Sequence, residues 1–198
     1  MTKTLSYYDE NAASFSGSTL DVDFHDIQDE FLSLLPRKAY ILDFGCGAGR
    51  DTKYFADKGY TVVAVDGSAK LCEIASQYTG LHVRQMFFSE LDDVEKYDGI
   101  WACASILHLP KDELGDVFIK MRDALVHDGI IYTSFKYGEF EGMRGGRYFT
   151  CFTKESLVDF VEQVGGLDII KIWLSDDVRE DRKDERWVNI LLKKKTIS

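Results

Sequence analysis

Long apolar runs are missing from this sequence, and none approaches the roughly 20 residues that a helix needs to cross a bilayer. The opening segment, MTKTLSYYDENAASF, also lacks an apolar stretch flanked by basic residues. The sequence therefore predicts neither a membrane span nor a signal peptide. Cysteines are few, and Cys46, Cys72, Cys103 and Cys151 form no CxxC pair. This spacing argues against a disulfide framework and a zinc site, and it favours a reducing, cytoplasmic location.

Basic residues are also in the minority. The 24 Lys and Arg stand against 34 Asp and Glu, which gives a net charge of −10. Such a chain repels phosphate backbones, so a nucleic-acid partner is disfavoured unless basic residues cluster locally. With 198 residues, 45% of them hydrophobic and 29% charged, the composition fits one globular domain over residues 1–198.

Apolar runs alternate with helical apolar stripes along the chain. The runs predict strands at 39–44, 60–65, 81–86, 97–104, 130–135, 167–174 and 187–193. The stripes predict helices over 50–58, 68–78, 111–126 and 153–164, with Ser68 as an N-cap and HDG (127–129) as a stop. A parallel crossover needs a helix-sized connection, so the alternation predicts an α/β fold with helices on both faces of a parallel sheet. The last two strands are joined only by a charged segment, which predicts an antiparallel pair.

The segment ILDFGCGAGR (41–50) places glycines at alternate positions directly after the first strand. Glycine allows a sharp turn and a close approach to a ligand. In an open parallel sheet, ligands bind at this place, where strand carboxyl ends meet helix N-termini. Asp66 ends the second strand, where a carboxylate can accept both hydroxyls of a ribose. The spacing is GxGxG rather than the GxGxxG of dinucleotide loops, which argues against a nicotinamide dehydrogenase.

With Asp43 before the glycines and Asp66 after the next strand, the chain resembles the class I S-adenosylmethionine-dependent methyltransferases. The resemblance is good over residues 38–136, and the strand plan extends it to nearly the whole chain. It implies a Rossmann-like, seven-stranded sheet, mostly parallel, with the last strand antiparallel between two others. It also implies S-adenosylmethionine as the cofactor, bound by Asp43, Gly45, Cys46, Gly47, Gly49, Asp66, Gly67, Ser68, Phe87, Phe88, Ala104 and Tyr8.

The resemblance assigns parts of the cofactor to particular residues. Asp43 would support the amino-acid end, directly or through water, and Asp66 would hold the ribose. Adenine would lie near the end of the third strand. Phe87 and Phe88 would face opposite sides of a continuing strand there, so only one of them would stack on the base.

Two further segments resemble small soluble methyltransferases of the tellurite-resistance type. DGIWACASILHLP (98–110) implies that His108 lines the methyl-transfer channel, where a histidine can carry a proton near neutral pH. The alternative is a histidine satisfied by local backbone contacts. The N-terminal YYDENAASF belongs to a predicted helical cap over residues 1–36, with Tyr8 folded over the cofactor. We take His108 and Tyr148 as the catalytic candidates, and no spacing predicts a metal site.

Several basic residues occur in segments that should lie at the same carboxyl edge of the sheet. The predicted substrate-side loops are 137–152 and 175–186, and the residues expected to bind a small anion are Lys136, Arg144, Arg147 and Arg182. Neighbouring acids such as Glu180 and Glu185 leave open a solvated, self-paired face instead. The favoured function is methyl transfer to a small acceptor. A methyltransferase acting on RNA or protein, and a non-catalytic S-adenosylmethionine-binding protein, remain as alternatives.

Overall fold

The computed structural model describes residues 3–178 and 185–195. One sheet contains seven strands in the order β3-β2-β1-β4-β5-β9-β8, and β6 and β7 form a separate hairpin. The strands are β1 (Tyr40–Phe44), β2 (Thr61–Asp66), β3 (Val83–Gln85), β4 (Tyr97–Ala102), β5 (Leu125–Lys136), β6 (Glu141–Arg144), β7 (Arg147–Thr150), β8 (Leu167–Asp176) and β9 (Arg186–Lys194). The helices are α1 (Lys3–Thr19), α2 (His25–Ser33), α3 (Arg50–Asp57), α4 (Ala69–Thr79), α5 (Lys111–Ala124) and α6 (Lys154–Val164).

The strand order confirms the predicted fold. β1 pairs in parallel with β2 and β4, and β4 pairs in parallel with β5. β9 lies between β5 and β8 and is antiparallel to both. β8 ends at Asp176 and β9 begins at Arg186, a separation too short for a crossover connection, so β9 returns directly beside its predecessor.

Helices cover both faces of the sheet because successive strand residues point to opposite sides. In β1, Leu42 packs with α5 residues such as Phe118 on one face. Its neighbour Ile41 packs on the other face with Phe31 of α2 and with Trp101. Both faces are therefore apolar, which explains the continuous hydrophobic runs in the sequence. No helix within the described ranges combines the length and apolarity that crossing a bilayer requires.

Three predicted boundaries were wrong. HDG (127–129) does not precede the fifth strand but forms a bulge inside β5, since Tyr97 pairs with Leu125 and Gly99 with Ile130. β3 ends at Gln85, so the two phenylalanines that follow it leave the strand. The segment 137–152, expected to be a loop, contains the β6–β7 hairpin, which turns at Gly145 and Gly146 with φ of +55° and +81°.

Candidate active site

A cavity of about 990 Å³ lies at the carboxyl edge of the sheet. Its floor is the loop after β1 and the ends of β2, β4 and β5, and its cover comes from α1 and the β6–β7 hairpin. The predicted residues that line it are Tyr8, Gly45, Cys46, Gly47, Asp66, Gly67, Phe87, Phe88, Ala104, His108, Lys136, Arg147 and Tyr148. The sheet thus brings together residues that are far apart in sequence.

The glycine loop requires glycine for conformational and steric reasons. Gly45 has φ of +87°, and a Cβ atom built on it would lie 2.4 Å from Cβ of Ser105. Ser105 is fixed there because its hydroxyl donates to the carbonyl of Phe44 at 2.6 Å. The backbone nitrogens of Gly45 and Cys46 both donate to the carbonyl of Val65 at 2.9 Å. The loop is therefore tied to β2 and packed directly against the segment after β4.

Asp66 is placed at the wall of the cavity with both oxygens oriented by backbone donors. The amide of Gly47 donates to Oδ2 at 2.9 Å, and the amide of Ser68 donates to Oδ1 at 2.8 Å. Burial raises the pKa of Asp66, and the hydrogen bonds from Ser68 and Gly47 oppose that rise. Each carboxylate oxygen has two lone pairs, so each keeps one position for a further donor. The group is suited to binding a pair of neighbouring hydroxyls.

The far end of the cavity is aromatic. β3 ends at Gln85, so Phe87 and Phe88 do not continue the strand, and both line the cavity. Phe88 packs edge-on against Phe44, with ring centroids 4.8 Å apart. Phe87 remains 42% exposed, which leaves its face available to a flat group such as a purine.

Helix α1 covers the cavity through residues spaced along one helical face. Leu5 lies against Gly67, where an added Cβ atom would come within 2.7 Å of its side chain. Phe15 lies against Gly47 in the same way, at 3.2 Å. Asp9 ties the helix down, because the hydroxyl of Ser68 donates to its carboxylate at 2.5 Å. The helix thus runs from the end of β2 to the glycine loop.

His108 is held by hydrogen bonds at both ring nitrogens. Nδ1 lies 2.6 Å from the carbonyl oxygen of Tyr148, and Nε2 lies 2.7 Å from the hydroxyl of Tyr8. A carbonyl oxygen only accepts, so Nδ1 carries the proton and Nε2 accepts from Tyr8. Burial lowers the pKa of His108 to about 4, with Arg147 and Lys136 adding to the effect. The histidine is neutral at physiological pH, and its basic nitrogen is already engaged.

The lowered pKa makes a prediction about stability. A histidine in the unfolded chain has a pKa near 6.5, so below this pH the unfolded state binds the extra proton more readily than the folded state with its pKa of about 4. The free energy of unfolding should therefore fall from pH 6.5 to pH 4, by up to about 3 kcal/mol relative to His108→Gln. Urea denaturation across this range measures it. The exposed His82, replaced by glutamine, is the control and should leave the wild-type pH dependence unchanged.

Three predicted cofactor ligands do not line the cavity. Asp43 is buried behind the glycine loop and accepts from the hydroxyl of Thr52 at 2.5 Å, so a direct contact with the cofactor is not supported. Burial raises the pKa of Asp43, and the nearby Asp51 adds to the effect. Gly49 packs against α4, where a Cβ atom would lie 2.8 Å from Thr79. The side chain of Ser68 caps α4 by accepting from the amide of Leu71, as its N-cap position predicts.

The hairpin carries Tyr148, the second catalytic candidate, and places it in the cavity lining. Alternate residues of a strand face opposite sides, so the side chain of Tyr148 lies on the other face of the strand from Arg147 and Phe149. Its hydroxyl donates to Glu141 at 3.1 Å on the exposed side. Its backbone also contributes to the site, through the carbonyl that accepts from His108 and the amide that donates to Thr4 at 3.0 Å.

The predicted basic residues divide into different environments. Arg144 is exposed outside the cavity lining, with its guanidinium 4.4 Å from the ring centroid of Phe140. Lys136 lines the cavity but is paired with Glu185. Arg147 lines the cavity between aromatic rings, 4.6 Å from the centroid of Tyr7 and 5.1 Å from that of Phe149. Arg182 lies outside the described residues.

Sequence reasoning missed Arg50, which follows the glycine loop directly and lines the cavity. Its guanidinium donates twice to Asp51, at 2.8 and 3.0 Å, and lies 4.7 Å from the ring centroid of Phe24. Asp51 also accepts from the indole of Trp101 at 2.8 Å. These contacts therefore hold the guanidinium of Arg50 in one position. Its position directly after Gly49, the third glycine of the loop, is the sequence signal that could have identified Arg50.

Comparison with known proteins bears on this arrangement. Residues 41–129 match the model of a protein family described as a methyltransferase domain. This range contains the glycine loop, Asp66 and His108 together. The resemblance to the class I enzymes that the sequence suggested is thereby confirmed.

Individual proteins that are similar to this chain differ in how much of it they cover. The Bacillus subtilis protein YqeM, named as a candidate methyltransferase, is 28% identical over 116 residues, which are 53% of this chain and 47% of that protein. The chain thus spans about half the length of this curated relative. A Burkholderia thailandensis 1,6-didemethyltoxoflavin N1-methyltransferase, solved with that compound and S-adenosylhomocysteine, has a TM-score of 0.76 at 22% identity, over 97% of this chain and 85% of that one.

The same fold also occurs in a protein that is named for a different reaction. The cyclase SpnF has a TM-score of 0.66 at 15% identity, covering 87% of this chain and 81% of that one. At such identities the likeness establishes the fold alone. The reaction must therefore be argued from the residues of the cavity.

Proposed function

We propose that this chain is an S-adenosylmethionine-dependent methyltransferase acting on a small acceptor with an anionic group. The observation that supports it most is Asp66. A half-buried carboxylate that lines the cavity and is oriented by two backbone amides has lone pairs left for two hydroxyl donors. A ribose presents two such hydroxyls side by side.

The rest of the cavity fits the same cofactor. Gly45 and Gly47 leave the backbone bare where the methionine part would lie, and any side chain at Gly45 would meet Ser105. Phe87 and Phe88 provide an aromatic end for adenine. A volume of about 990 Å³ is at the upper end of the usual range for small-molecule sites, which leaves room for an acceptor beside the cofactor.

The side chains of the cavity mainly orient the methyl donor and the acceptor, and they exclude water. The cofactor supplies a methyl group already activated on a positively charged sulfur. Alignment of donor and acceptor can lower such a barrier by roughly 7–11 kcal/mol at best. Helix α1 contributes by covering the glycine loop with Phe15 and the end of β2 with Leu5. His108 is not free to act as a base, because its Nε2 already accepts from Tyr8.

Arg147 is the residue that we expect to select the acceptor. In contrast to Lys136 and Arg50, which are paired with carboxylates, its hydrogen bond within the described ranges is one long contact of 3.5 Å from Nη1 to the hydroxyl of Tyr8. Its buried Nε has no hydrogen-bond partner among the residues that the structure describes. A guanidinium held between aromatic rings with donors to spare is suited to a carboxylate or phosphate.

Matched pairs of acceptors test this assignment. Candidate acceptors are offered with and without a carboxylate (hydroxybenzoates against phenols, imidazole carboxylates against imidazoles), and transfer from methyl-labelled cofactor is measured. We expect the acids to be preferred by about tenfold or more, the effect of one charge-assisted hydrogen bond. Arg147→Gln should abolish the preference, and Arg144→Gln, outside the cavity, should keep it. Equal use of both members of each pair would contradict an anionic acceptor.

The alternatives from the sequence have weaker support. An RNA substrate would need a basic face, yet the net charge is −10 and, of the basic residues predicted to form a patch, Arg144 lies outside the cavity and Lys136 is paired. A non-catalytic cofactor-binding protein would need a blocked acceptor space. The cavity instead continues past the glycine loop to Phe24, Ser134 and Trp187.

A further inference from the structure

The hydrogen-bond chain that joins His108, Tyr8 and Arg147 has a direction. The Tyr148 carbonyl fixes the proton on Nδ1 of His108, so Nε2 accepts the hydroxyl proton of Tyr8. A phenol has one proton and two lone pairs. With its proton given to His108, the Tyr8 oxygen offers only lone pairs to everything else around it. One of them faces Arg147, whose Nη1 lies 3.5 Å away, a weak contact.

Tyr8 occupies a defined place along α1. It follows Leu5 by one helical turn and precedes Phe15 by two, on the same face of the helix. Leu5 covers Gly67 beside Asp66, and Phe15 covers Gly47 of the glycine loop. Tyr8 therefore covers the stretch between the two. A cofactor held at its ribose by Asp66 and at its methionine end by the glycine loop carries its sulfonium between these points.

We infer that His108 is a positioning residue, which takes the Tyr8 hydroxyl proton and so presents the Tyr8 lone pairs to the polarised methyl group of the sulfonium. The inference rests on the proposed function and goes beyond it, since it names the atom that recognises the charged cofactor. A sulfonium methyl carries positive charge on its hydrogens, and an oxygen lone pair attracts it. The neutral thioether product lacks both the methyl and the charge.

The surrounding charges are compatible with this role. Burial raises the pKa of Tyr8. Arg147 lowers this pKa and Asp66 raises it. Tyr8 and His108 are accordingly both neutral near pH 7, and no proton moves between them. Tyr8 would therefore distinguish the methylated cofactor from its product, so that the product is held less tightly than the donor.

Calorimetric titration of S-adenosylmethionine and S-adenosylhomocysteine into the whole chain tests the inference. Tyr8→Phe keeps the ring and removes the oxygen. We expect it to weaken S-adenosylmethionine about tenfold, the effect of one contact with a charged group, and to change S-adenosylhomocysteine by less than about twofold. Tyr7→Phe is the matched control, because Tyr7 packs on Arg147 and does not line the cavity. It should alter neither affinity.

Variants at His108 separate positioning from simple packing. His108→Leu removes the acceptor and should reproduce the Tyr8→Phe pattern. His108→Gln places an amide oxygen near the position of Nε2 and should restore most of the preference for S-adenosylmethionine. Nitrogen NMR of ¹⁵N-histidine should show the Nδ1–H tautomer at His108, with the resonance identified by its loss in the glutamine variant.

The outcomes are distinguishable. Wild-type protein that binds neither adenosyl ligand would overturn the proposed function itself. Binding of both ligands with equal losses in Tyr8→Phe, or an Nε2–H tautomer at His108, would leave the proposed function intact and overturn this inference.

Discussion

Replacing Asp66 with alanine is expected to weaken the binding of S-adenosylmethionine by about 100-fold or more. Two hydroxyl donors to a carboxylate each contribute roughly 1.5–3 kcal/mol, which together correspond to at least this factor. Asp66→Asn keeps one oxygen acceptor and should have an intermediate effect. Calorimetry with S-adenosylhomocysteine should show the same order, because both ligands contain the ribose.

The control for Asp66→Ala must also remove a carboxylate that accepts from a backbone amide. Asp98 meets this condition, since its Oδ2 accepts from the amide of Tyr40 at 2.7 Å. It lies at the opposite edge of the sheet, beside the start of β1. Asp98→Ala should bind both ligands as the wild type does. Unchanged binding in Asp66→Ala would contradict the ribose assignment.

The second large effect is expected at Gly45. This residue and Gly59 have the same φ of +87°, but only Gly45 has neighbours within 4 Å of an added Cβ atom. Alanine at positive φ costs about 1–2 kcal/mol, and forcing a methyl group against Ser105 adds roughly 1–3 kcal/mol. Gly45→Ala should therefore lose about 2–5 kcal/mol of stability and most of its cofactor affinity.

Gly59→Ala isolates the backbone contribution to that loss. It should lose only about 1–2 kcal/mol in urea denaturation and keep the affinity for S-adenosylhomocysteine. If the two variants behaved alike in both stability and binding, the close packing of the loop against Ser105 would have no energetic role.

The sheet could be predicted from the sequence because its signals are local. Strands such as Thr61–Asp66 are short apolar runs with turn residues on either side. Ser68 is a hydroxyl residue just before a helical stripe, and it caps α4 as expected. The antiparallel β8–β9 pair followed from the length of its connection. The bulge at 127–129 was missed because a DG pair is equally suited to ending an element and to interrupting a strand.

The site was predictable where one motif fixes both position and chemistry, as at Gly45 and Asp66. The sequence was less informative where the position of a side chain depends on which face of a strand or helix it occupies. In the hairpin, Arg147 and Tyr148 lie on opposite faces of one strand, and a one-residue shift would exchange them. The contact between Tyr8 and His108 joins residues separated by 100 positions. No local pattern in the sequence reports such a contact.

One titration tests the central claim most directly. Wild-type protein is titrated by calorimetry with S-adenosylmethionine, S-adenosylhomocysteine and NADH under identical conditions. The account predicts that the two adenosyl ligands bind with dissociation constants of roughly micromolar size and that NADH does not compete with them. Absence of adenosyl binding, or a preference for NADH, would show that the cavity above ILDFGCGAGR serves another ligand.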